Sequence, residues 1–412
     1  MDRFIGVFGI ICILGLAYLL SNNRKAINYR TVGVGLLLQF SLAVFILKTS
    51  VGQFIFQSAG EFINIILDQA QKGAAFVFGS LVNTELMTQV FGLGNDYIFF
   101  FKIIPTIILV AVLVNIFYYI GVLQKVVYYM GIVMKKLMGV SGVEALSNVA
   151  SAFVGQVEAQ IMIKPYLKDM TNSELMASMT GSFACIAGGV MALYISLGVP
   201  APYLLAASLM AAPGALVVSK IMFPETEKSI FSNTVEINAQ KSHVNIVDSI
   251  AAGSSEGLKV GMNVIAMLIG FISLIALVDL GLGKIGDLIN FPELSMNFIL
   301  GYLFSGFAWV MGVPIQDIQV AGALMGEKMV VNEFVAYLDL MKVKDSLDPK
   351  TIAITSFALC GFANFSSIAI QIGGIGELAP SRRKDLAKLG FKALIAGTLA
   401  SYLSATFAGI LF

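Results

Sequence analysis

Apolar stretches of about 18 to 20 residues, the length an α-helix needs to cross the hydrocarbon core of a bilayer, recur along this 412-residue chain from one end to the other. No ten-residue alternating pattern of the kind a transmembrane β-barrel requires is present. The chain is therefore expected to be an all-α polytopic membrane protein whose embedded part fills nearly the whole sequence. Composition agrees: 58% of residues are hydrophobic and 12% charged, against about 45–50% and about 25% in an average soluble domain. A net charge of +1 offers no basic surface for nucleic acid. Cys12, Cys185 and Cys360 all lie in apolar segments, so neither a disulfide framework nor a zinc site is expected. The apolar run from Phe4 to Leu20 has no basic leader and no small-residue cleavage site, and is read as a first span rather than a signal peptide.

Spans are placed at about 4–20, 31–47, 100–122, 174–197, 201–219, 258–280, 351–374 and 387–411, eight transmembrane helices in all. Positive residues then cluster on one face, in SNNRKAINYR (21–30), KVVYYMGIVMKK (125–136), KPYLK (164–168), the stretch 219–228 and SRRK (381–384). That face is expected to be cytoplasmic, with both termini extracytoplasmic. The long polar insertion, about 224–256, falls on the same side with His243, which is read as a solvated loop residue rather than a proton relay. Residues 141–170 and 314–345 carry glycine and charge midway and would break the charge rule as single spans. They are read as two re-entrant helical hairpins, tolerated where irregular backbone is buried in protein or lines a cavity.

The chain also repeats itself. MGVSGVEA (138–145) echoes MGVPIQDI (311–318), YLKDM (166–170) echoes YLDLM (337–341), and SFACIAG (182–188) echoes SFALCGFAN (356–364). Each unit runs span, short helix, glutamate-bearing hairpin, two spans, and the charge rule starts the two units from opposite sides. Inverted repeats with interrupted helices at mid-membrane are the plan of many secondary transporters. The expected divisions are an N-terminal part at 1–99 with spans and an interfacial helix, a first repeat at 100–223, a polar linker at 224–256 and a second repeat at 257–412.

A charge at the bilayer centre costs at least about 2.5–3.5 kcal/mol on insertion scales, so a buried carboxylate needs partners or a function. The first hairpin has Gln156 and Glu158, and the span after it has CIAGGV (185–190), whose glycines suit local unwinding. The second hairpin has Asn332 and Glu333, and the span after it has FANFSS (362–367). Repeat symmetry would gather these four segments. Carboxylates and amides beside Phe362 and Phe365 would suit a polyhydroxylated ligand with a planar ring. The bland alternative is polar glue between helices; it is preferred for Ser366, whereas the desolvation cost favours function for Glu158 and Glu333.

GQVEA, PETEK, NEFVAY and ALCGFANFSSIAI, with SNNRKAINYRTVG near the start, resemble the concentrative nucleoside transporters over essentially the whole chain. The resemblance implies a homotrimer in a bacterial inner membrane, with a scaffold and a moving transport domain that carries a nucleoside inward with a cation, as an elevator. It implies that Gln156 and Glu158 contact the base, with Val157 beside them. It also implies that Glu333, Asn364 and Ser367 contact the ribose, and that Phe362, Val190 and Val260 pack around the ligand. The sodium ligands of similar family members correspond to Ser151 and Cys185, with the carbonyls of Val154 and Ile186. A thiol is a poor ligand for a hard cation. The sodium site is thus expected to be degenerate, with no metal bound, and proton coupling through Glu158 and Glu333 is favoured over sodium. Val157 stands where relatives commonly have threonine, which leaves base preference open. A channel or an intramembrane enzyme is the remoter reading; no HExxH or comparable pair occurs, so no catalytic residue and no cofactor are expected.

Overall fold

The computed structural model describes residues 2–92, 98–231 and 243–412, and among them every regular element is helical. The chain opens with α1 (Asp2–Leu19), α2 (Tyr29–Lys48), α3 (Ser50–Phe78) and α4 (Thr84–Phe91). Side-chain caps set three of these starts: Asn28 Oδ1 accepts from Arg30 N and Thr31 N, Thr49 Oγ1 accepts from Gly52 N, and Asn83 Oδ1 accepts from Leu86 N. α3 turns Phe54, Phe62, Ile65 and Phe76 outward, an arrangement that suits lipid or protein and not water.

The rest of the chain is one succession of elements used twice. The first unit comprises α5 (Phe99–Tyr119), α6 (Val122–Met138), α7 (Gly142–Ser151) with α8 (Glu158–Met162), α9 (Asn172–Ala184) with α10 (Gly188–Ser196), and α11 (Ala201–Met222). The second comprises α12 (Ile246–Leu288), α13 (Met296–Val310), α14 (Ile318–Val330) with α15 (Glu333–Val343), α16 (Pro349–Leu359) with α17 (Phe365–Leu378), and α18 (Arg383–Leu411). Capping boxes launch the first unit's paired helices, Ser141 with Glu144 for α7 and Thr171 with Glu174 for α9. A buried pair then ties the two starts to the end of α11: Lys220 Nζ lies 2.6 Å from Glu144 Oε2 and donates to Ser173 Oγ at 2.9 Å.

Several expectations are redrawn. The spans placed at 174–197 and 351–374 are each two helices with an irregular break, at residues 185–187 and 360–364. In the first break the glycines of CIAGGV do not unwind: α10 begins at Gly188, whose N–H donates to Phe153 O at 3.1 Å. The span placed at 258–280 is the middle of the 43-residue α12, which starts where Asn245 Oδ1 accepts from Asp248 N. The polar insertion accordingly ends at Asn245; of its length, residues 232–242 lie outside the described residues. α13, which sequence reading did not place as a span, is short and apolar. By length and composition six helices among the described residues are able to cross a membrane.

α9, α11, α16 and α18 form the buried centre, and Gln39 of α2 reaches into it to donate to Ser404 Oγ at 2.8 Å. α5 and α12 pack together as a separate wall. Gly253 and Gly257 let the two backbones meet: a Cβ on Gly257 would stand 2.6 Å from Ile108 Cα, the small-residue contact typical of apolar helix pairs. Along its remaining length α12 exposes Ile269, Ile272, Leu274, Leu277 and Leu280.

Candidate functional site

The two breaks meet. Phe362 N donates to Cys185 O at 3.3 Å, joining the break between α16 and α17 to that between α9 and α10. At the crossing, Gly361 has φ +118°, and a Cβ there would sit 2.6 Å from Ala184 O, so only glycine fits. On either side lie the turns between α7 and α8 and between α14 and α15. A cavity of about 680 Å³ opens between these four irregular segments and the wall of α5 and α12.

Polar groups line one side. Glu333, 5% exposed, is held at both oxygens: Tyr194 donates its hydroxyl to Oε1 at 3.0 Å and Asn364 donates Nδ2–H to Oε2 at 2.9 Å. Asn364 is itself fixed as the N-cap of α17, its Oδ1 accepting from Ser367 N at 2.9 Å and Ser366 Oγ at 2.7 Å. Asn332 plays the same part for α15, accepting from Val335 N at 3.0 Å. Tyr194 is locked by aromatic neighbours, Tyr337 at a centroid distance of 4.5 Å and Phe334 at 6.1 Å. Each oxygen of Glu333 keeps a second lone pair for a ligand hydroxyl.

Across the cavity stand Gln156 and Glu158. Gln156 Oε1 is buried without a hydrogen-bond partner among the described residues, which in a native protein calls for an explanation such as a ligand. Glu158 is exposed to the cavity at the start of α8. The wall of α5 and α12 is mostly aliphatic, with Ile107, Ala111, Val260, Val264 and Met267, and carries the polar groups Asn115, Glu256 and Asn263.

Of the residues singled out in the sequence, Gln156, Glu158, Val190, Val260, Glu333, Phe362, Asn364 and Ser367 all line this one cavity. Val157 does not; its methyls pack on α17, where a Cβ at Gly374 would come within 2.8 Å of Cγ2. Ser366, expected as helix glue, also lines it. Among the cation candidates Val154 lines the cavity, while Ser151, Cys185 and Ile186 are buried behind the first turn. Their donors are engaged. Ser151 Oγ donates to Ser147 O at 2.9 Å and lies 3.3 Å from Ser182 Oγ, the Cys185 thiol points to Ser208 O at 3.9 Å, and Cys185 O accepts from Phe362 N.

Sequence reading missed Tyr194, which sits unmarked in the apolar run ALYISL, Asn263, Lys164, which it counted only in the positive cluster of the first hairpin, and Glu256, which it assigned to the linker. Asn115 was legible as a lone carboxamide inside a span; it donates to Glu256 Oε2 at 2.8 Å. His243, expected free in a loop, is hydrogen-bonded to Asn115 Oδ1 at 3.0 Å. Beneath the first turn, Gln160 joins Ser147, Ser178 and Ser182 in a closed buried network, which fixes the tip from behind.

A polar cradle between two broken helices, faced by a mostly aliphatic wall in a largely apolar helical shell, suits a membrane carrier. Family models agree along the chain: "Na+ dependent nucleoside transporter" matches at its N-terminal part over residues 8–81 and at its C-terminal part over 203–409, and "Nucleoside recognition" matches over 100–201. An uncharacterized transporter of Haemophilus influenzae is 43% identical, the match covering 100% of this chain and 98% of that protein. The nucleoside permease NupC of Helicobacter pylori is 37% identical, with 98% and 96% covered. The solved structure of CNTnw in an inward-facing substrate-bound state is similar with a TM-score of 0.94 at 40% identity, covering 100% of this chain and 98% of that one. The chain belongs to the concentrative nucleoside transporter family. It is a multi-pass membrane transporter and not an enzyme.

Proposed function

We propose that this protein imports nucleosides by symport with protons, carrying the cavity across the membrane as an elevator. The observation that carries the reading is that one cavity holds a doubly bonded Glu333 and an amide oxygen, Gln156 Oε1, with no hydrogen-bond partner among the described residues. Glu333 with Asn364 and Ser367 suits the hydroxyls of a ribose, and Gln156 with Glu158 suits the polar edge of a base. Phe362, Val190 and Val260 supply apolar surface to the rings. The cavity volume is within the usual range of small-molecule sites, about 300–1,000 Å³.

Proton coupling is supported by the donor set around Ser151 and Cys185. A sulfur, that of Cys185, stands where a hard cation needs oxygen, and the Ser151 hydroxyl is engaged with Ser147 O and Ser182 Oγ. Glu158, open to the cavity, and Glu333 are the proton carriers in this reading. Sodium coupling at the same site is the second reading, favoured by the sodium dependence in the matching model's description. The elevator is supported by the division of the cavity: among the described residues Asn115, Glu256 and Asn263, polar side chains of the α5 and α12 wall, form no hydrogen bond to the broken helices, and Asn115 and Glu256 bond to each other. Both termini outside, the two helix pairs as re-entrant hairpins, and a homotrimer in the inner membrane belong to the same proposal; the outward apolar faces of α3 and α12 suit subunit contacts as well as lipid.

Uptake of labelled uridine and inosine into proteoliposomes tests it, with a pH gradient and a sodium gradient imposed separately. Accumulation driven by the pH gradient is expected. Accumulation that follows sodium alone replaces the proton with sodium, and no saturable nucleoside uptake under either gradient defeats the reading. Glu333→Gln is expected to abolish uptake in a protein that still folds.

A further inference from the structure

Among the described residues Lys220 and Lys328 are buried in the helical core, and they are treated differently. Lys220 has a carboxylate at 2.6 Å, Glu144. Lys328, in the last turn of α14, is 1% exposed and forms no ion pair among the described residues. An ammonium taken out of water without a counter-charge is costly, and it persists only where fixed dipoles replace its hydration.

Here the dipoles are the carbonyl end of a broken helix. Lys328 Nζ donates to Ala358 O at 2.8 Å and reaches Cys360 O at 3.5 Å, carbonyls with no partner inside α16 where it stops before α17; Cys360 O also accepts from Ser401 Oγ at 2.9 Å. Those groups carry the negative end of the α16 dipole. Five residues on from Lys328, Glu333 opens α15 and takes the hydrogen bond from Asn364, on the other side of the same break. The ammonium thus clamps one side of the break and Glu333 engages the other, with no ion pair between the two. The first half of the repeat lacks this device. The register that aligns SFACIAG with SFALCGF sets Val154 opposite Lys328, and in the first break Cys185 O is bonded instead by the Phe362 amide.

We propose that Lys328 is a positioning residue whose ammonium acts as a built-in cation, clamping the carbonyl end of α16 to α14 and so presetting Glu333 and Asn364 for the substrate. The second half of the site is then assembled without a diffusible cation, and emptying this position creates a pocket for a small one. The inference rests on reading Glu333 as a ligand group.

The test uses the full-length protein in detergent, with labelled uridine and n-propylammonium chloride as probes. Lys328→Gln keeps a donor for Ala358 O and removes the charge; it is expected to bind uridine at least thirtyfold more weakly while eluting like the parent. Lys328→Ala is expected to lose affinity likewise and to recover at least tenfold in millimolar n-propylammonium, which leaves the parent unchanged. In the absence of uridine the same amine is expected to raise the thermal midpoint of Lys328→Ala and not that of the parent. Uridine affinity of Lys328→Gln within threefold of the parent overturns the proposal, as does an alanine variant whose midpoint does not respond to the amine. If Glu333→Gln leaves uridine binding intact, the ligand role of Glu333 falls, whereas the uridine-free response to the amine still decides the cation.

Discussion

At the scale of single residues, the site is defined by which polar atoms are already satisfied. Tyr194 and Asn364 each give Glu333 one hydrogen bond, so its carboxylate is oriented before any ligand arrives. A hydrogen bond to a charged group contributes about 1.5–3 kcal/mol. Tyr194→Phe, which keeps the packing against Tyr337 and removes the donor, should weaken nucleoside binding about tenfold, read by equilibrium binding of labelled uridine. Gln156 is the opposite case. Its Oε1 has no partner among the described residues, and an unsatisfied buried acceptor costs about 1–3 kcal/mol. Gln156→Leu is therefore expected to hold or raise the thermal midpoint of the ligand-free protein while uridine affinity falls at least tenfold; a fall in both would assign Gln156 to the fold instead. The same distinction explains what was legible. Gln156, Glu158, Glu333 and Asn364 stood out because polar groups are costly in an apolar run. Tyr194 did not, because a tyrosine in such a run is half apolar itself and carries no cost signal.

At the scale of elements, the informative feature is that four helices stop in the middle of the molecule and use each other's ends. Asn332 and Asn364 cap the helices that resume, Lys328 takes the carbonyls of one that stops, and the Phe362 amide ties the two breaks together. Gly361 is the hinge point of this arrangement. Gly361→Ala adds a Cβ 2.6 Å from Ala184 O at φ +118°, a combination of backbone strain and overpacking that costs about 3 kcal/mol or more. Loss of the folded peak in detergent chromatography, or a sharp fall in thermal midpoint, is the expected result, and a variant that binds uridine normally would refute the crossing. From the sequence, the spans at 174–197 and 351–374 read as continuous because hydropathy averages over a window wider than the breaks. CIAGGV drew attention to the right place for a mistaken reason: the chain leaves the helix at Cys185, ahead of the glycines, and Gly188 then starts α10 against the Phe153 carbonyl.

At the scale of the molecule, the two five-element units build different surfaces from one plan. α11 and α18 go to the buried centre, whereas α5 and α12, sealed to each other by Gly253 and Gly257, face the cavity with mostly aliphatic side chains beside Asn115, Glu256 and Asn263. One aromatic contact joins the halves of the proposed elevator: Phe99 of α5 meets Phe334 of α15 edge-on, with ring centroids 5.5 Å apart. Cysteines at these two positions, oxidised to a disulfide, should stop uptake in proteoliposomes and release it on reduction; uptake that continues through the cross-link rules out movement of α15 past α5. What the sequence by itself determined was the solvent, the helical class, the repeat and most of the polar side of the site, because each of these is a local consequence of hydrophobicity, period or desolvation cost. The tertiary structure alone decided where helices break, that Val157 faces α17, that Lys328 answers carbonyls instead of a carboxylate, and that α5 and α12 complete the cavity. Those are relations between segments far apart in the chain, and a backbone hydrogen bond or a glycine-sized contact between them leaves no pattern in either segment on its own.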